Sequence, residues 1–132
     1  MDETIKALVK GYMEKAENRL KAAESLFELG YYDDVVSRAY YAVFHAVQAL
    51  LLTEGEKAET HKGVLTLFSL LFIKTGRFRK EFGKYLSNLK DDRESGDYEV
   101  FSYIDEETAK NALVEAREFL DETELYLSRL GI

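Results

Sequence analysis

Cysteine, proline and tryptophan are absent from this sequence. Without cysteine the chain has no disulfide bonds and no thiolate chemistry, which is compatible with a reducing, cytoplasmic setting. The lack of proline is typical of long, uninterrupted helices. No continuous apolar run reaches the ~20 residues needed to cross a bilayer, and the N-terminus lacks the basic-then-apolar order of a secretory signal. We therefore expect a soluble cytoplasmic protein without a membrane partner.

Several kinds of catalytic centre are also missing from the sequence. The two histidines, His45 and His61, are far apart in the chain, and no His-Glu-x-x-His pattern is present. We therefore expect no zinc site and no other bound metal. The eight glycines are scattered singly and form neither a Gly-x-Gly-x-x-Gly nor a Walker pattern. An ordinary nucleotide hydrolase or cofactor-dependent enzyme is thus not expected, and no cofactor is predicted.

The charge of the chain is unevenly distributed. The net charge of −7 argues against a polyanionic partner for the molecule as a whole. Residues 1–56 carry a net charge of −4, residues 57–93 carry +5, and residues 94–132 carry −8. The basic segment either attracts a polyanion locally or balances acidic neighbours, and the sequence leaves both interpretations open. Its clustered basic residues are Lys74, Arg77, Arg79, Lys80, Lys84, Lys90 and Arg93.

Apolar residues recur at helical spacing along most of the chain, and no strand alternation is present. The pattern predicts an all-α, up-and-down bundle of about five helices in one domain, 1–132. Asp33 or Asp34 is the expected cap of the second helix and Thr60 that of the third. The segment 91–105 is charged and lacks apolar periodicity, so it is predicted to be an irregular connection. The predicted helices are 5–27, 34–54, 60–76, 78–89 and 106–130.

The second helix is the most informative part of the chain, because residues 37–52 are apolar on nearly every side. Such a helix is either buried all round or covered on one face by another copy of the chain. The first and last helices also carry much apolar surface. We therefore expect a homodimer with the second helix near its two-fold axis.

Four polar residues interrupt this apolar helix along one stripe. Arg38 and His45 are seven residues apart, and at ~100° per residue they point within ~20° of the same direction. Tyr41 and Gln48 fall near the same line. A histidine moves protons near neutral pH, and an arginine stabilises negative charge on a reacting phosphate. The pair indicates phosphodiester chemistry without a metal, or, alternatively, Arg38 pairs with a carboxylate and His45 hydrogen-bonds inside an interface.

Four segments in the same order resemble one family. They are residues 31–46, residues 60–64 (Thr-His-Lys-Gly-Val), residues 72–76 (Phe-Ile-Lys-Thr-Gly), and Arg93 followed by Asp97 and Tyr98. Together they resemble the small stand-alone proteins of the HEPN superfamily, named for higher eukaryotes and prokaryotes nucleotide-binding domains. The resemblance implies a dimeric bundle with a four-helix core. It also implies that Arg38 and His45, with six residues between them, line the groove between two subunits.

The resemblance further implies a function. Active members cleave RNA without a metal, as the 2′-hydroxyl attacks the adjacent phosphate, with the arginine binding phosphate and the histidine acting as general acid or base. Such proteins are often toxins, paired with a small nucleotidyltransferase antitoxin. Here His61 would orient a phosphate or help to cap its helix, and Asp97 would pair with Arg93 or Arg38. The remaining candidate substrate-binding residues are Tyr41, Gln48, Arg93 and Tyr98.

The sequence departs from the pattern of active members at two points. Ala39 follows the arginine, where active ribonucleases often have a polar residue. His45 is followed by Ala46 and Val47 rather than by the His-x-Tyr sequence whose tyrosine is modified in one subgroup. Ala39 and the acidic balance of the chain favour an alternative function, a catalytically inactive nucleotide-binding or adaptor module that docks a nucleotidyltransferase. A dimeric scaffold without any ligand is the third hypothesis.

Overall fold

The computed structural model describes residues 1–102 and 104–132. This part of the chain is an α-helical bundle and contains no β-strand, which confirms the predicted all-α class with five helices. The helices are α1 (Glu3–Glu28), α2 (Tyr32–Thr53), α3 (His61–Phe68), α4 (Lys80–Tyr98) and α5 (Glu106–Arg129).

Local sequence signals explain most of the helix ends. The carboxylate of Asp2 accepts a hydrogen bond from the backbone N–H of Ile5 at 2.8 Å and caps α1. Thr60 caps α3 as predicted, because its hydroxyl accepts from the N–H of Gly63 at 2.9 Å. Gly30 ends α1 with a φ of 81°, a conformation that costs little only for glycine.

The predicted cap of α2 is wrong. The helix begins at Tyr32, and no side chain of the described residues caps it. Asp33 and Asp34 lie inside the first turn instead, where a negative charge stabilises the free N–H groups of the helix end. The carboxylate of Asp33 is also held by the hydroxyl of Ser102, which donates to it at 2.7 Å.

Helix α2 is the centre of the bundle and packs against α1, α3, α4 and α5. By length and mean hydropathy it reaches the range of a membrane span, which the longest continuous apolar run did not indicate. However, 67% of its most apolar stretch is buried by the other helices, as in the core helix of a bundle. Its apolar side chains are thus covered within a single chain. For α2 the premise of excess apolar surface is therefore wrong, whereas α1 and α5 expose Leu8, Val114 and Leu125, and the dimer itself stays a prediction.

Helix α4 is longer than predicted, because residues 91–98 continue it instead of forming an irregular connection. Two contacts with α2 hold this extension. Arg93 is only 9% exposed and turns inward. A Cβ at Gly96 would lie 3.3 Å from the backbone of Asp33 and from Val36, so the lack of a side chain allows the close approach of α4 to α2. Tertiary packing thus extends a helix that the apolar pattern alone does not predict.

The third helix also differs from the prediction of one element over residues 60–76. Regular α-helix ends at Phe68, and a π-helical turn, Ser69–Ile73, follows before Gly76 reverses the chain at a φ of 78°. Phe72 of this turn belongs to the main cluster of aromatic rings, in which the ring centres of Phe68 and Phe119 are 5.4 Å apart. The cluster comprises Phe68, Phe72, Phe78, Phe82 and Phe119, all of them buried.

Candidate functional site

The predicted stripe of Arg38, Tyr41, His45 and Gln48 lies along the middle of α2, and we call it the α2 stripe. Arg38 is exposed, and it forms no ion pair or hydrogen bond with any residue that the structure describes. The other three side chains are half-buried. Since α2 is continuous through this region, Arg38 and His45 project from one side of it, ~10 Å apart along the helix axis.

The imidazole of His45 is held by contacts on two sides. Its Nδ1 lies 3.0 Å from Oε1 of Gln48, one turn further along α2. The ring of Tyr12, from α1, stacks on it with ring centres 6.2 Å apart. In the tautomer that pairs an Nδ1–H with this amide oxygen, Nε2 of the neutral ring holds a free lone pair. Within the described chain, Nε2 has no hydrogen-bond partner, so it is the nitrogen that can take a proton.

Electrostatics keep this imidazole neutral. Burial lowers the pKa of His45, and the nearby charges of Lys15 and Arg19 lower it further, while the hydrogen bond with Gln48 opposes the shift. The pKa is thus below the ordinary value, and the neutral ring is the main form at neutral pH. A neutral imidazole with a free lone pair is a general base.

A small groove of about 140 Å³ opens next to His45, between α1, α2 and α3. Tyr12 and Gln48, the two residues that contact the imidazole, both belong to its wall. The remaining wall is mostly apolar and includes Leu8 and Leu52. A planar or apolar group can therefore approach the stripe from this side.

A second group of functional candidates meets between α2, α3 and α4, and we call it the Arg93 cluster. Its centre is the guanidinium of Arg93, whose Cζ lies 5.1 Å from the ring centre of Tyr40 and 5.6 Å from that of Tyr41. These distances allow cation–π attraction, which is stronger for a desolvated charge. The cluster comprises Ser37, Tyr40, Tyr41, Phe44, His61, Arg93, Asp97 and Tyr98.

Hydrogen bonds and an ion pair connect the polar side chains of this cluster. Nη1 of Arg93 donates to the hydroxyl of Tyr98 at 3.4 Å and lies 3.8 Å from the carboxylate of Asp97. That carboxylate also accepts from the hydroxyl of Ser37 at 3.2 Å. Nε of Arg93 is buried without a hydrogen-bond partner in the described residues, a cost that the contacts with the rings offset.

His61 belongs to the same cluster and is tied to α2. Its Nδ1 lies 2.9 Å from the hydroxyl of Tyr40, and its ring stacks on Phe44 with ring centres 4.3 Å apart. Burial lowers the pKa of His61, and the charge of Arg93 adds to the shift. Burial also raises the pKa of Tyr40 to about 12, so its hydroxyl keeps its proton and can donate it to the imidazole.

The structure thus divides the predicted site residues into two groups. Arg38, His45 and Gln48 lie on the α2 stripe alone, whereas His61, Arg93, Asp97 and Tyr98 lie in the Arg93 cluster. Tyr41 belongs to both groups, because it lies on the α2 stripe and its ring contacts Arg93 and His61. Asp97 pairs with Arg93, which is one of its two predicted partners. His61 does not cap α3, since Thr60 fills that role.

Sequence reasoning missed Tyr12, Tyr40 and Phe44, which provide the ring contacts of the two histidines. Tyr40 and Phe44 lie in the apolar stretch 37–52, where their residue types give no sign of a polar site, and both are buried. The contact of Tyr12 with His45 depends on the alignment of α1 with α2, which no single segment encodes.

The basic segment around residues 74–93 is largely engaged within the chain. Arg77 forms an ion pair with Glu54, and Lys90 forms one with Glu94 at 3.0 Å. Arg79 lies over the ring of Phe82 at 5.1 Å. These contacts are those expected of charges that balance acidic neighbours. Across the described ranges, no group of three or more His, Cys, Asp or Glu side chains is arranged to hold a metal ion.

Comparison with known proteins places the chain in a family. The model of the HEPN domain matches residues 9–126, nearly the whole sequence. Methanocaldococcus jannaschii has two similar proteins. "Putative toxin MJ0142" is 39% identical, with coverage of 87% of this chain and 78% of the relative. "Putative toxin MJ0605" is 36% identical, with coverage of 92% and 90%.

A solved structure supports the fold. The crystal structure of TT1696 from Thermus thermophilus superposes with a TM-score of 0.75 at 20% sequence identity, covering 89% of this chain and 97% of that one. At this identity the likeness concerns the fold alone. From the extent of the family match and the identity to its relatives, the chain belongs to the HEPN domain family.

Proposed function

We propose that the protein is a metal-independent endoribonuclease, the toxin of a toxin–antitoxin pair with a nucleotidyltransferase. Arg38 binds the scissile phosphate and His45 transfers the proton. The observation that carries the proposal is the state of His45: Gln48 holds Nδ1, burial favours the neutral ring, and Nε2 has no hydrogen-bond partner among the described residues. Membership of the HEPN family and the toxin names of two relatives support it.

The chemistry follows from these two side chains. Nε2 of His45 removes the proton of a ribose 2′-hydroxyl, and the 2′-oxygen forms a bond with the adjacent phosphorus. The guanidinium of Arg38, unpaired within the described chain, stabilises the additional negative charge on the phosphate oxygens. The bond between phosphorus and the 5′-oxygen then breaks and leaves a 2′,3′-cyclic phosphate.

The leaving 5′-oxygen needs a proton, and we assign this step to a second copy of His45 in a homodimer. A two-fold axis near the α2 stripe brings two copies of Arg38 and His45 to one groove, so that one imidazole acts as base while the other, protonated, acts as acid. This assignment accounts for a stripe whose two functional groups lie ~10 Å apart in one chain. Light scattering at micromolar concentration should give twice the mass of the chain, and the monomer mass would remove this step.

The cleavage itself is tested with purified protein and structured RNA in EDTA. Wild type should cut the RNA, whereas the Arg38→Ala/His45→Ala double variant should leave it intact. Arg129→Ala is the matched control, since Arg129 is a surface arginine at the end of α5. Identical RNA profiles for wild type and double variant would refute the nuclease.

A second function is favoured by one residue. Ala39, next to Arg38, stands where active members often carry a polar residue. Its side chain is a fully buried methyl group, so this position offers no polar group to a substrate. A catalytically inactive module that binds a nucleotide and docks a nucleotidyltransferase would fit this departure and the acidic surface. Calorimetry with ATP and GTP, combined with co-purification of the neighbouring gene product, tests it. Absence of both interactions would discard the adaptor.

A further inference from the structure

Helix α1 carries two basic side chains, Lys15 and Arg19, that the proposed cleavage does not use. Lys15 is exposed and Arg19 is half-buried. Neither forms an ion pair with a residue in the described ranges, although the chain has 25 acidic side chains. Cations without an internal partner can bind an anionic ligand, and their position on the helix decides which ligand they reach.

Contacts between α1 and α2 fix where these two side chains lie. The helices are joined by a short turn and run antiparallel, with Tyr12 stacked on His45 and Phe27 packed against Tyr32 at 5.7 Å between ring centres. Near one end of the pair, residue 12 is thus level with residue 45. Near the other end, residue 27 is level with residue 32.

This alignment places Arg19 beside Arg38. Arg19 follows Tyr12 by seven residues and Arg38 precedes His45 by seven, so two turns in opposite directions reach the same level on both helices. Lys15, one turn after Tyr12, lies between the two levels. The charges of Lys15 and Arg19 both act on the imidazole of His45, which agrees with this placement.

The acidic residues of α1 point elsewhere. Glu17 forms an ion pair with Arg117 of α5 at 2.9 Å, and Glu14 lies at the wide concavity between α1 and α5. Lys10 and Lys21 also line that concavity. Helix α1 therefore separates its charges, with a mixed face toward α5 and a basic face toward the α2 stripe.

We infer that Lys15 and Arg19 bind the backbone of a single-stranded RNA, holding a phosphate next to the one at Arg38 and His45. The inference rests on the proposed function for the identity of the ligand. Lys15 and Arg19 form a basic track that spans ~6 Å of α1 beside Arg38 and His45, and an open track of cations follows a flexible strand. The apolar groove beside Tyr12 lies at the end of the track, where a base can be accommodated.

The test measures binding of a fluorescein-labelled RNA strand with 2′-O-methyl riboses, which lacks the attacking hydroxyl and cannot be cleaved. We expect Lys15→Gln/Arg19→Gln to bind more weakly and to respond less to salt. Loss of two phosphate contacts makes the slope of log affinity against log salt concentration shallower by about 1.4. When salt is raised from 50 to 200 mM, the fold-loss of affinity of the variant should therefore be about sevenfold smaller than that of wild type.

Lys10→Gln/Lys21→Gln is the matched control, because it removes the same charge from the same helix on the face toward α5. It should bind with the wild-type slope. Lys15→Arg/Arg19→Lys keeps both charges and should also restore the wild-type slope, provided that circular dichroism shows each variant to be folded. Equal slopes for the two glutamine variants, or no binding by wild type, would overturn the inference.

This experiment separates the inference from the cleavage. If the protein binds the strand through Lys15 and Arg19 but leaves ordinary RNA intact, the binding inference holds and the proposed nuclease is refuted. If the protein cuts RNA in EDTA but its salt slope does not depend on Lys15 and Arg19, the nuclease holds and the binding inference is refuted.

Discussion

The α2 stripe and the Arg93 cluster each contain a histidine and an arginine, yet the two regions treat these side chains differently. In the Arg93 cluster, His61 binds Tyr40, and Arg93 binds Tyr98 and Asp97. In the α2 stripe, Arg38 has no partner in the described chain, whereas His45, like His61, has one hydrogen-bond partner, Gln48. The contrast therefore lies in the arginines: a guanidinium engaged within the chain holds helices together, whereas an exposed guanidinium without an internal partner is available to a ligand.

The largest expected effect separates the two histidines. His45→Ala should reduce RNA cleavage about 10²–10⁴-fold, because it removes the proton-transfer group. His61→Ala should retain cleavage in its folded fraction, since His61 contacts Tyr40 and Phe44 within the chain. Initial rates in EDTA, normalised to the folded fraction by circular dichroism, provide the comparison. Equal losses for both variants would erase the distinction between the regions.

The free energy of unfolding should depend on the arginine of the Arg93 cluster and not on that of the α2 stripe. Arg93→Ala should lower the free energy of unfolding by about 2 kcal/mol, because it removes cation–π contacts and buried packing from three rings. Arg38→Ala should change it by less than about 0.5 kcal/mol, as expected at an exposed site without partners. Urea unfolding measures both. A large cost for Arg38→Ala would show that Arg38 is structural.

A smaller effect is expected from the hydroxyl of Tyr40. Tyr40→Phe keeps the ring and removes the hydrogen bond with His61, which should cost about 1 kcal/mol of stability. The cleavage rate should not change. A tenfold loss of cleavage with unchanged stability in urea would indicate that the catalytic centre lies in the Arg93 cluster.

The smallest effect concerns pH. With one copy of His45 as base and another as acid, kcat/KM should follow a bell-shaped curve with its maximum at the pKa of His45, below its ordinary value of about 6.5 because burial lowers it. Gln48→Leu should move the maximum further down, because the hydrogen bond with Gln48 raises this pKa. A rate that rises with pH to a plateau would remove the acid role of the second copy.

Much of the fold follows from local signals in the sequence. Asp2 and Thr60 cap their helices and Gly30 ends α1, because each acts within a few residues of its own position. The extension of α4 does not follow from such signals. Its inward residue is Arg93, and a charged side chain that packs among aromatic rings is invisible to a pattern of apolar residues.

The candidate site divides in the same way. The stripe of Arg38 and His45 was predictable, since both residues lie in one continuous helix and the period of that helix fixes their directions. The meeting of His61 with Arg93 was not, because it depends on how α3 and α4 pack against α2. Likewise, Lys15 and Arg19 become part of a site only through the alignment of α1 with α2.

The proposed function requires RNA to contact the α2 stripe and not the Arg93 cluster. Side-chain NMR spectra of histidine and arginine, recorded while the 2′-O-methyl strand is added, test it directly. We expect the signals of His45, Arg38 and Arg19 to shift during the titration while those of His61 and Arg93 stay in place. Shifts confined to His61 and Arg93 would contradict it.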